Sequence, residues 1–139
     1  MTIEMFERTL ELAALLAAEI ERKLAADGLT RSRAQVLRRL GEEGPMQQRE
    51  LARVFDVSAR NITGLVDGLV TTGFVTREPH PDDRRATLVT LTARGVTAAQ
   101  TIEASRHELA EAMFAGIPER EKHAYRGVLD TLLDNLRTR

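Results

Sequence analysis

Leu51-Ala52-Arg53-Val54-Phe55-Asp56-Val57-Ser58-Ala59-Arg60-Asn61-Ile62-Thr63-Gly64-Leu65 is the stretch on which the fold turns. Leu51, Ala52 and Phe55 share one side of a short helix, Val57 enters from a turn, and Ile62 and Leu65 follow on a second helix. This spacing lets two helices cross closely, with Ala52 small enough to permit contact, which is the pattern of a helix-turn-helix. The turn carries Asp56 where glycine is usual, and aspartate tolerates a left-handed backbone better than most residues. Ser58 suits the N-cap of the second helix. Taken alone, the pattern also fits an ordinary helical hairpin.

Downstream, the period changes. The second helix, about 59–72, closes at Gly73. Phe74, Val75 and Thr76 then favour a strand, as do Leu88, Val89 and Leu91 within 87–92. Between them Glu78-Pro79-His80-Pro81-Asp82-Asp83 is a turn-rich link without glycine, so a two-stranded hairpin with a long tip is expected. A helix over about 93–115 follows, and Gly116 breaks it. Pro118 suits the first turn of a last helix, along which Tyr125, Val128, Leu129, Leu132, Leu133 and Leu136 form an apolar stripe.

Upstream, Ile3, Phe6, Leu10, Ala13, Leu16, Ile20 and Leu24 recur every three or four residues, predicting one helix over 1–27 with Gly28 as its stop. Thr30 caps a helix over 31–40, which Gly41 and the Gly44-Pro45 pair end. A short helix over about 47–55 leads into the helix-turn-helix. The fold class is therefore mainly α with a small β-hairpin wing: a winged helix-turn-helix flanked by long helices. A helix of roughly 25 residues is about 37 Å long, more than so small a middle can cover, so a second copy of the chain is expected to bury the excess apolar surface.

Composition bounds the chemistry. In 139 residues, 42% are hydrophobic but only 4% aromatic, so the core must come from Ala, Leu, Val and Ile. The net charge of −1 means that a polyanion would need a local basic surface. Cysteine is absent, which excludes disulfides, thiolate catalysis and thiol redox sensing and agrees with a cytoplasmic setting. No apolar run is long enough to span a membrane, and the stretch 10–18 lacks the basic leader of a signal peptide. His80, His107 and His123 are too scattered for a metal pattern, and there is no phosphate loop or nucleophile elbow. Neither an enzyme nor a bound metal or cofactor is expected.

On the second helix of the motif, Ile62, Leu65, Val66 and Leu69 face inward, which leaves Ser58, Arg60, Asn61, Thr63 and Gly64 for a groove of double-stranded DNA. Arg60 can reach guanine O6 and N7 or a phosphate, and Asn61 can pair with adenine or merely support the helix start. Ser58 and Thr63 suit phosphate oxygens. Gly64 and Gly68 each cost roughly 1 kcal/mol relative to alanine in a helix, which either reflects close approach of DNA or another helix, or is a tolerated defect. At the hairpin tip Arg84 or Arg85 can enter a minor groove, where negative potential concentrates. The alternative is a solvated turn in which they pair with Asp82 or Asp83. Arg31, Arg33, Arg38 and Arg39 form a basic run that either meets phosphates or faces solvent, and Arg77 pairs with Asp67, pairs with a wing aspartate, or touches DNA.

The run Pro81-Asp82-Asp83-Arg84-Arg85-Ala86-Thr87-Leu88-Val89-Thr90-Leu91-Thr92-Ala93-Arg94-Gly95 resembles the wing signature of the MarR family. Leu65-Val66-Asp67-Gly68-Leu69, Gly73-Phe74-Val75-Thr76-Arg77, and Gly44-Pro45 before Glu50-Leu51-Ala52 are similar to that family too. The resemblance covers essentially the whole chain as one domain, with 1–28 and about 93–139 as dimerisation helices and about 30–92 as the winged helix-turn-helix. It departs at His80, where the family has aspartate, and at Gly64 and Gly68, where relatives often carry basic groups. It implies a homodimeric transcriptional regulator, typically a repressor, on a near-palindromic operator, with the recognition helix in the major groove and the wing in the minor groove. It also implies release by a small, often phenolic, ligand held in a pocket of the first, second and fifth helices. The other class of function open to such a fold is a helical module that binds protein.

Overall fold

Two hydroxyls set the helix starts that the sequence predicts. Thr30 Oγ1 accepts from the Arg33 backbone N–H at 3.2 Å, and Ser58 Oγ accepts from that of Asn61 at 3.0 Å, so each cap satisfies a donor that the first helical turn leaves without a partner. The computed structural model describes residues 1–139. Its elements run α1 (Thr2–Ala26), α2 (Arg31–Glu43), β1 (Met46–Gln47), α3 (Gln48–Val54), α4 (Ala59–Thr71), β2 (Val75–Pro79), β3 (Thr87–Leu91), α5 (Ala93–Met113) and α6 (Glu119–Arg137).

The chain divides into two compact units, Met1–Ala104 and Ser105–Arg139. In the first, Val36 and Leu37 of α2, Leu51 of α3, Ile62, Val66 and Leu69 of α4, Val75 of β2 and Val89 of β3 are the most deeply buried side chains. Each such side chain is worth about 1.5–3 kcal/mol of apolar burial, and together they hold α3, α4 and the sheet as one body. Leu65, expected to face inward, is half-buried against this core together with Ala52, Phe55 and Val57. Asp56 holds the turn at φ 51°, the left-handed conformation expected there.

In the second unit, the last turns of α5 lead through Gly116 at φ +79° into α6. The Phe114 and Tyr125 rings meet at 5.8 Å between centroids. Pro118 is the N-cap of α6 rather than a residue of its first turn; its extended backbone (ψ 150°) suits a cap, and its carbonyl accepts the Lys122 N–H. Leu132 and Leu136 on α6 are 44% and 70% exposed. On α1, Ile3, Phe6 and Leu10 are each more than half exposed, at 66%, 57% and 55%.

The structure amends the sequence reading in three other places. Helix α2 runs through Gly41 and stops at Gly44, whose φ of +79° takes the backbone out of the helix. A Cβ added at Gly41 would lie 3.1 Å from the Ala99 Cβ, so its small size serves packing against α5 rather than a turn. The wing belongs to a sheet of three strands in the order β1-β3-β2, not a lone hairpin. Strand β1 is two residues long, Met46 opposite Val89 and Gln47 opposite Leu88. Finally, β2 extends to Pro79, paired with Thr87, so Glu78 and Pro79 belong to the strand and the free tip is 80–86.

Candidate nucleic-acid interface

Helix α4 turns Ile62, Val66 and Leu69 into the core, and that orientation leaves Ser58, Arg60, Asn61, Thr63 and Gly64 exposed. The Arg60 guanidinium and the Asn61 side-chain amide make no hydrogen bond or ion pair within the chain, so both keep their full hydrogen-bonding capacity for an outside partner. Asn61 supports the helix start through its backbone N–H alone.

The two hydroxyls differ. Ser58 Oγ accepts within the cap and keeps its proton free, so it can donate to a phosphate. Thr63 Oγ1 donates to the Ala59 carbonyl at 2.8 Å and accepts from Gln48 Nε2 at 2.8 Å. Its proton is spent inside the protein, and a phosphate contact would require breaking that bond.

The glycines of α4 also separate. Nothing lies within 4 Å of a Cβ built on Gly64, which leaves a bare stretch of backbone on the exposed face. A Cβ on Gly68 would collide with the Arg33 guanidinium, which lies across that position. Gly68 thus accommodates a neighbouring helix's side chain. Within the basic run on α2, Arg38 pairs with Glu42 at 3.4 Å and Glu103 at 3.3 Å, and Arg39 with Glu43 at 3.7 Å. Those two charges are balanced within the chain.

At the wing tip the backbone makes its own turn. His80 N–H donates to the Ala86 carbonyl and Ala86 N–H to the Asp83 carbonyl, both at 3.0 Å. His80 Nδ1 accepts from Asp82 N–H, and Asp83 Oδ1 accepts from Arg85 N–H, again at 3.0 Å. The aspartate therefore ties down the backbone of Arg85, in the manner of an Asx turn, and not its guanidinium. Arg84 and Arg85 are exposed and form no ion pair within the chain.

Sequence reasoning missed three residues of α3. Arg49 and Arg53 are exposed without an ion pair, and Arg49 lines a cleft of about 360 Å³ together with Gln48, Arg77 and Arg85. Gln48 itself bonds to Thr63 and Arg77. The signal available was the basic spacing of Arg49 and Arg53, one turn apart, but only the fold puts Arg49 beside the wing. The unpaired guanidinia of α3, α4 and the wing supply the local positive surface that a net charge of −1 conceals. Arg77, by contrast, pairs with Asp67 at 2.5 Å.

A second cavity, about 570 Å³, lies in the first unit between α2, β3 and the start of α5, with Arg38, Leu40, Gly41, Leu91, Val96 and Ala99 in its lining. No residue of α1 lines it, unlike the expected pocket. No three His, Asp or Glu side chains converge in a metal-holding arrangement, and no helix is long and apolar enough to cross a membrane.

The MarR family model matches residues 29–87, the span from the start of α2 to the wing tip. The chain is 26% identical over 137 residues to the HTH-type transcriptional repressor YetL of Bacillus subtilis (strain 168), covering 97% of this chain and 82% of that protein. A probable transcriptional regulator from Pseudomonas aeruginosa, of known crystal structure, is 32% identical with a TM-score of 0.69, covering 89% of this chain and 93% of its own. The crystal structure of a MarR family transcription regulator superposes with a TM-score of 0.86 at 20% identity, covering 99% of this chain and 91% of its own, a likeness of fold. Helix-turn-helix, wing and flanking helices thus agree in order, geometry and sequence: the chain belongs to the MarR family of winged helix-turn-helix, DNA-binding transcriptional regulators.

Proposed function

We propose that this regulator is a homodimeric repressor of a near-palindromic operator. Helix α4 enters the major groove with Arg60 and Asn61 at base edges and Ser58 at a phosphate. The wing places Arg84 or Arg85 in the neighbouring minor groove. The observation that carries this reading is the set of free side chains on α4 and the wing tip, where the protein spends none of the side-chain hydrogen-bonding capacity of Arg60, Asn61, Arg84 and Arg85 on itself. Likeness to a repressor supports repression. Residues 1–139 act as one domain, with 1–28 and about 93–139 forming the dimer and about 30–92 the reader. The exposed leucines of α6 and the apolar face of α1 are the surfaces a second copy would cover. The 570 Å³ cavity has the size of a small-molecule site and would take a small, aromatic effector. A regulator of chromosomal DNA works in the cytoplasm.

Titration of a duplex from the chain's own upstream region against a random duplex, across a salt series, tests the groove assignment. Affinity should fall steeply with salt on both. Arg84→Ala and Arg85→Ala should weaken both duplexes, most where the flanks are A·T-rich, and flatten the salt slope by about one unit for whichever arginine makes the contact. Unchanged affinity in both variants would remove the wing from the interface. The absence of any preference for upstream DNA would favour a protein-binding role.

Assembly is checked on the same sample. Sedimentation at micromolar concentration should give twice the chain mass, and a well-folded monomer that still binds the operator would contradict the dimer.

A further inference from the structure

The Gln48 side chain bridges three elements. Its Nε2 donates to Thr63 Oγ1 on α4 at 2.8 Å, and its Oε1 accepts from Nε and Nη2 of Arg77 on β2, both at 3.3 Å. Arg77 Nη2 also reaches Asp67 Oδ1, one helical turn beyond Thr63 on the same face of α4. Thr63 passes its own proton to the Ala59 carbonyl. Each of these hydrogen bonds pairs a donor with an acceptor, and the amide can take only one orientation, because a flipped Gln48 would turn its N–H groups on the guanidinium. The bridge crosses the cleft between the start of α3 and the wing that Arg49 and Arg85 also line. Arg77 lies opposite Val89, level with Met46, so the bridge ties the base of the wing; past Gln47 opposite Leu88 the outer wing has no strand neighbour besides its own hairpin and depends on that base.

We infer that Gln48 is a positioning residue that locks the wing to the recognition helix, so that the groove contacts of Arg84 or Arg85 need no ordering of the wing when DNA binds. The inference rests on the groove assignment proposed above. It follows from the cost of immobilising a loose segment on binding, which pre-organisation removes. It also gives Thr63, exposed on the reading face with its proton on the Ala59 carbonyl, a role: its oxygen accepts from Gln48.

A double-mutant cycle with the upstream duplex tests the idea. Gln48→Met keeps the side-chain length and removes all three side-chain hydrogen bonds. It should weaken operator binding about fivefold to tenfold when the wing arginines are present, and less than about twofold when Arg84→Ala and Arg85→Ala have removed them. The salt slope should stay that of the parent, because no phosphate contact is lost. Thr63→Val should reproduce the Gln48→Met loss, and Thr63→Ser, which keeps the hydroxyl, should not. In the free protein, hydrogen exchange at Thr76, Arg77 and Glu78 should quicken in Gln48→Met while that of α4 holds. An equal loss in both wing backgrounds would mean that Gln48 touches DNA itself and would overturn the positioning role. Unaltered exchange in the wing would overturn it as well. If the parent shows no preference for upstream DNA, the groove assignment falls, and the exchange measurement still decides whether Gln48 holds the wing.

Discussion

Gly95→Ala should lower the stability of the folded chain by about 3 kcal/mol, at the upper end of what an added buried methyl usually costs. Gly95 is buried in the first turn of α5, and a Cβ there would collide with the Phe74 carbonyl oxygen and touch Leu91 at 3.0 Å. That carbonyl cannot retreat freely, because it accepts the Thr92 N–H at 3.1 Å, while the Thr92 hydroxyl donates to the Gly73 carbonyl at 2.6 Å and accepts from Gly95 N–H at 3.1 Å. The Phe74 ring is further held under the Arg94 guanidinium, 4.4 Å from its centroid. Alanine's better helix propensity returns up to about 1 kcal/mol, too little to offset a clash with backbone. Denaturant unfolding should therefore show a lower midpoint with an unchanged slope. Gly64→Ala is the matched comparison: it sits in a helix with open space around it, so stability should rise by as much as about 1 kcal/mol. Operator affinity should fall if α4 lays its backbone against DNA there. Equal midpoints for the two variants would show that the junction of β3 and α5 yields more easily than its hydrogen bonds imply.

Arg60→Ala and Asn61→Ala should each cost about 1–3 kcal/mol on the operator and distinctly less on random DNA. Neither side chain supports the fold: both are exposed and neither bonds within the chain, so truncation should leave the unfolding midpoint close to that of the parent. A loss of affinity then belongs to the interface. The contrast with the wing is one of kind. Base-edge contacts separate operator from random sequence, whereas a wing arginine reads groove shape and potential and contributes on both. If Arg60→Ala weakens operator and random duplexes equally, Arg60 holds a phosphate. If Asn61→Ala leaves operator affinity intact, its contribution ends with the backbone N–H that Ser58 caps.

Local chemistry in the sequence was enough to determine the helices, the winged helix-turn-helix between them and the family. Caps such as Thr30 and Ser58, the left-handed Asp56, and the apolar spacing of Ile62, Val66 and Leu69 act within a turn or two of themselves. They read the same before and after folding. The inward face of α4 was legible for that reason, and with it the exposed set of Ser58, Arg60, Asn61, Thr63 and Gly64. Long-range pairing was not legible. Strand β1 is two residues with no alternation to betray it, and it exists only because β3, some forty residues later, supplies its hydrogen bonds. Gly41 looked like a helix stop, but contact with Ala99 makes it a packing residue. Thr63 looked like a phosphate donor, but its proton goes to the Ala59 carbonyl, and its oxygen accepts from Gln48, fifteen positions earlier. The tertiary structure alone decided which polar groups are spent and which are free. A hydrogen bond depends on distance in space, and Gln48, Thr63, Asp67 and Arg77 become neighbours only when α3, α4 and β2 pack on a common core.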